Sequence, residues 1–70
     1  MASIDIRGPQ GNAFALMGTA KSLARQLGYD REETEEILNE MRSGSYEDLL
    51  DTFERHFPVV ELIGRDKEQV

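Results

Sequence analysis

Phe14, Gly18, Lys21 and Arg25 recur at i, i+4, i+7 and i+11, so a helix over this stretch carries an aromatic ring, a gap and two cations on one flank. Aromatic faces stack on bases, and ammonium and guanidinium groups hold phosphates. The flank therefore suits an anionic ligand such as a nucleotide. Gly18 costs such a helix about 1 kcal/mol relative to alanine. Close approach of a ligand or a partner chain would explain it. An architectural reading stands beside this one: Phe14 packs beneath a strand, and Gly18 lets Val60 or Leu62 come near.

The loop Gly8-Pro9-Gln10-Gly11-Asn12 lies immediately upstream. A glycine-rich turn from strand to helix presents backbone N–H groups to phosphate, which adds Gly8, Gly11 and Asn12 to the anion-binding set. The loop has neither a lysine placed as in a P-loop nor the G-x-G-x-x-G spacing, and an ordinary structural turn also accounts for it.

A second candidate surface is acidic. Glu32, Glu36 and Glu40 follow at i, i+4 and i+8, opposite the apolar stripe of the second expected helix, and Glu47, Asp51 and Glu54 extend the acidity onto a third. Like charges at this spacing cost an isolated helix about 0.2–0.5 kcal/mol per pair. Such a ladder either keeps the protein soluble or meets a basic partner, for example a factor whose phosphate-binding groove it occupies. Asp51 is spaced to pair with Arg55 on its own helix.

Other chemistry is sparse. There is no cysteine, which excludes disulfides and thiolate metal sites, and no second imidazole to join His56 on a transition metal. His56 fits instead at a helix C-terminus, where positive charge is favoured. Ser3, Ser22, Ser43 and Ser45 stand outside any nucleophile-elbow motif. No carboxylate sits in an apolar neighbourhood of the kind that makes a general acid. The expectation is a non-enzymatic protein without a cofactor.

The elements that must position these groups follow from periodicity. Ser3 to Arg7 alternates apolar and polar residues, as a half-buried strand does. Asn12 caps a helix whose apolar face is Ala13, Leu16, Met17, Ala20, Leu23, Ala24 and Leu27, with Gly28 at its C′ position. Asp30 and Glu33 form a capping box before Thr34, Ile37, Leu38 and Met41; Ser43-Gly44 ends this helix. Ser45 and Asp48 box a third helix, with Tyr46, Leu49, Leu50, Phe53 and Phe57 on one face and Pro58 as its stop. Val59 to Ile63 has strand composition and Gly64 bounds it.

The expected fold is a small α+β domain over residues 1–64, β-α-α-α-β, with a two-stranded sheet from the chain ends covered by three helices. Residues 65–70 are expected as a flexible tail. A two-stranded sheet leaves free edges, so a homodimer through a strand edge is a further expectation.

The formal charge is −6, which disfavours direct nucleic-acid or anionic-membrane binding on average. The acidity is local: residues 1–28 carry +2, residues 29–55 carry −7 and residues 56–70 carry −1. No stretch approaches the ~20 apolar residues of a membrane span, and the N-terminus lacks the pattern of a secretory signal, so a cytoplasmic protein is expected.

The run from Ile4 through Gly8-Pro9-Gln10-Gly11-Asn12 to Leu27-Gly28, with Glu40-Met41 and Ser45-Tyr46-Glu47-Asp48-Leu49-Leu50, resembles small uncharacterised proteins encoded by bacteriophages and prophages. The resemblance implies a role in binding and modulating a host factor. On the residues, the acidic helical face is the surface expected to take such a protein partner, and the Gly8–Asn12 loop with the Phe14/Lys21/Arg25 flank is the alternative, for an anionic small molecule.

Overall fold

The computed structural model describes residues 2–65. The order is β1 (Ala2–Asp5), a short 3-10 turn (Pro9–Gly11), α1 (Ala13–Gln26), α2 (Arg31–Arg42), α3 (Tyr46–His56) and β2 (Val60–Ile63). The fold is α+β, with the chain-end strands paired and three helices between them. The pairing is parallel, with Ile4 opposite Leu62 and Asp5 opposite Ile63. Parallel neighbours need a long crossover, and the three helices supply it.

Side chains alternate across the sheet, so one face meets the helices and the other meets solvent. Ile4, Val60 and Leu62 are buried, whereas Ser3, Asp5, Glu61 and Ile63 are exposed. The core beneath is Leu16, Ala20 and Ala24 of α1, Ile37, Leu38 and Met41 of α2, and Leu49, Leu50, Phe53 and Phe57 around α3. The Phe53 and Phe57 rings are tilted, with centroids 5.3 Å apart.

Local chemistry sets each helix end. Asn12 Oδ1 accepts from the Ala15 N–H, and Asp30/Glu33 and Ser45/Asp48 both form reciprocal capping boxes. Gly28 takes φ +85°, a conformation that disfavours any side chain, and so turns the chain from α1 into α2.

The strands are shorter than their composition suggests. β1 stops at Asp5 because the Arg7 backbone N–H and guanidinium both donate to its carboxylate, and the Gly8 N–H donates to its carbonyl. β2 starts at Val60 because the Val60 N–H turns back onto the Phe57 carbonyl around Pro58. Two residues of the expected apolar face of α1 lie outside the core: Ala13 is exposed, and Leu27, the C-cap, is 54% exposed. No described helix is long and apolar enough to cross a membrane.

Candidate functional site

The architectural reading of Phe14 does not hold. Its side chain is 89% exposed, because its position on α1 points away from the sheet and the α3 core. Gly18 admits no strand either: apart from its own helix, no atom lies within 4 Å of where its Cβ would stand. Val60 and Leu62 are buried elsewhere, against the core under the sheet.

Phe14 instead opens a groove of about 600 Å³, lined also by Met17, Met41, Arg42, Tyr46 and Leu49. Met41 and Leu49 form a buried floor, whereas Phe14 and Tyr46 (40% exposed) are aromatic walls. The Tyr46 hydroxyl donates to the Gly11 carbonyl, which fixes one wall. Gly11 is in turn held hard against Ile6, since a Cβ on it would stand 2.1 Å from the Ile6 carbonyl oxygen.

That arrangement gives the Gly8–Asn12 loop a role different from a phosphate cradle. The Gly8 N–H donates to Asp5 and the Gly11 N–H to Gly8. Asn12 spends its amide on the Pro9 carbonyl and its oxygen on α1. The loop uses these groups internally and braces Tyr46.

Lys21 and Arg25 line a second groove, of about 380 Å³, at the other end of the α1–α2 seam. Arg31, Thr34 and Glu35 of α2 and Tyr29 of the connecting turn complete it. The helices run antiparallel, so the last turns of α1 face the first of α2. Lys21, Arg25, Arg31 and Arg42 make no ion pair with any described residue.

The sequence reading missed Arg31, Arg42 and Tyr29. A signal for the two arginines existed: Arg31, Glu35, Leu38 and Arg42 repeat the i, i+4, i+7, i+11 spacing of Phe14, Gly18, Lys21 and Arg25 on the facing helix. The ten carboxylates of residues 29–55 hid it in the charge count.

The acidic residues separate into three groups. Glu32 and Glu36 are exposed on α2. Glu40 pairs with Arg55 and lies 3.5 Å from His56 Nε2. The Arg55 hydrogen bond holds the Glu40 carboxyl below its ordinary range, with partial burial opposing and His56 adding to the shift. Arg55 thus serves α2 and not Asp51, its expected partner.

Glu47, Asp51 and Glu54 converge on Arg65. Its Nη1 lies 2.9 Å from Glu54 and its Nη2 3.2 Å from Glu47, and Nη2 also donates to Asp51. Arg65, expected at the start of a loose tail, therefore has its side chain only 8% exposed and ties the end of β2 to α3. Burial works against its charged form, but the carboxylates outweigh that and raise its pKa. Residues 66–70, the remainder of the expected tail, lie outside the described residues. No family model, curated protein or solved structure matches the chain.

Proposed function

We propose that this is a non-enzymatic binding protein whose working surface is the α1–α2 seam, and that the seam takes an anionic ligand. The observation that carries this is the sorting of its cations. Arg7, Arg55 and Arg65 pair with carboxylates, while Lys21, Arg25, Arg31 and Arg42 line the two grooves of one seam without an ion pair among the described residues. In a chain of charge −6, unpaired cations gathered along one cleft focus a positive field there. The exposed Phe14 and the hydroxyl-anchored Tyr46 beside them are a recognition feature that folding alone does not require.

Thermal shift with inorganic pyrophosphate and tripolyphosphate tests the reading, because a ligand at ~100 times its Kd adds about 2.7 kcal/mol of stability. The expected outcome is a raised melting temperature that disappears in the Lys21→Gln/Arg25→Gln/Arg31→Gln triple variant. An unmoved melting temperature with both anions at millimolar concentration rejects it.

A second reading rests on Glu32 and Glu36, which stay exposed and outside the ion-pair networks of α3. They keep the acidic face available to a basic protein partner, such as a host factor of the kind the phage resemblance implies. This surface is narrower than the sequence suggests, since Glu40, Glu47 and Asp51 already serve internal cations. Capture of a partner by the native chain but not by Glu32→Gln/Glu36→Gln supports it; equal capture by both removes it.

A further inference from the structure

On α1, Gly18 falls between Phe14, which lines one groove of the α1–α2 seam, and Lys21, which lines the other. The line runs Phe14, Gly18, Lys21, Arg25, with the aromatic groove at one end and the cationic groove at the other. Gly18 is exposed in mid-helix, where glycine is unfavourable, and nothing in the fold packs on it. Its missing side chain therefore answers no internal need. What it does leave is open space on this flank of α1, between Phe14 and Lys21.

We infer that a nucleoside di- or triphosphate lies along this flank of α1, with its base against Phe14 and Tyr46, its sugar over Gly18 and its phosphates on Lys21, Arg25 and Arg31. The inference rests on the anion reading given above and specifies its ligand.

Three observations select this class. Tyr46 is held at its hydroxyl by Gly11, so a stacking wall stands preformed in the groove that the exposed Phe14 also lines. Helical rise puts Lys21 about 10 Å and Arg25 about 16 Å beyond Phe14, the reach of a nucleotide laid out from base to last phosphate. Glu35 reduces the formal charge of Lys21, Arg25 and Arg31 to +2, which suits a short phosphate chain. A long polyanion would run past the groove onto a surface of net charge −6, with Glu32 and Glu36 exposed on α2.

Calorimetric titration of the full chain with ATP, GTP, UTP and sodium tripolyphosphate tests the inference. At least one nucleotide should bind about tenfold or more tighter than tripolyphosphate, the increment that stacking a base supplies. Phe14→Ala should reduce nucleotide affinity to the tripolyphosphate level and leave tripolyphosphate unchanged. Gly18→Gln should weaken nucleotides at least tenfold while its melting temperature equals or exceeds that of the native chain, so that misfolding cannot account for the loss. Equal affinity for tripolyphosphate and every nucleotide, with Phe14→Ala silent, overturns the inference and leaves the anion reading standing. No binding of either kind of probe at millimolar concentration overturns both. Tighter binding of a ten-residue oligothymidylate than of any mononucleotide also overturns it, in favour of single-stranded nucleic acid.

Discussion

The outer face of α3 and the α1–α2 seam handle charge in opposite ways. On α3, Glu47, Asp51 and Glu54 share one arginine, and across the α2–α3 contact Glu40 shares Arg55 and His56. Along the seam, four cations have no such partner among the described residues, and an aromatic ring stands almost fully in solvent. The α3 side uses its charge to hold the fold together. The seam leaves its charge and its apolar surface available. The difference separates charge engaged within the fold from charge left open for the recognition proposed above, which a residue count cannot do.

Substitutions can break or sharpen this contrast. The largest effect is expected from Gly11→Ala, whose methyl group would collide with the Ile6 backbone. Backbone displacement of that kind costs about 3 kcal/mol, so denaturant unfolding should show a loss of that order, with Tyr46 freed as well. Little change in the unfolding midpoint would show that the brace on Tyr46 is soft.

On the α3 side, Arg65→Met should destabilise by about 1–2 kcal/mol, because three carboxylates lose a shared charge-assisted donor. Equal melting temperatures for variant and native chain would reduce this network to an ornament of the surface. On the seam, Gly18→Ala should act with the opposite sign. It should stabilise by about 0.5–1 kcal/mol, since alanine is the better helix former and meets nothing there. A destabilised Gly18→Ala would mean that this position is packed after all.

The pairs also predict an acid limb. Asp5 and Glu40 both have folded-state pKa values below their ordinary 3.8 and 4.5, through the hydrogen bonds from Arg7 and Arg55 respectively. A depressed carboxylate stabilises the fold above its ordinary pKa, and that contribution is lost as pH falls through the depressed value. Stability should therefore be flat near neutrality and decline below about pH 4.5. Glu40→Gln should make the decline shallower, as measured by urea midpoints across pH; an unchanged slope would contradict the role given to its pair.

The smallest effect belongs to Lys21→Gln, Arg25→Gln and Arg31→Gln. Each should change stability by less than about 0.5 kcal/mol, because no ion pair among the described residues is lost. A larger loss in any of them would move that cation from the recognition side of the comparison to the structural side.

Much of the fold was legible because its determinants are local. Asn12, Asp30/Glu33, Ser45/Asp48, Gly28 and Pro58 act through neighbours three or four residues away, and apolar spacing marked the buried faces of α1, α2 and α3. The flank of Phe14, Gly18, Lys21 and Arg25 was visible for the same reason. Strand ends were less legible, because Arg7 and Phe57 decide them through hydrogen bonds that composition does not encode.

By itself, then, the sequence determined the helices, their caps, the two terminal strands and the separation of a mildly basic first third from an acidic middle. Only the tertiary structure decided that the strands run parallel, that Arg65 belongs to α3, that Arg31 stands with Lys21 and Arg25, and that Phe14 faces solvent. The reason is range: a cap or a stripe is settled within one turn of helix, whereas pairing and exposure depend on which distant elements meet.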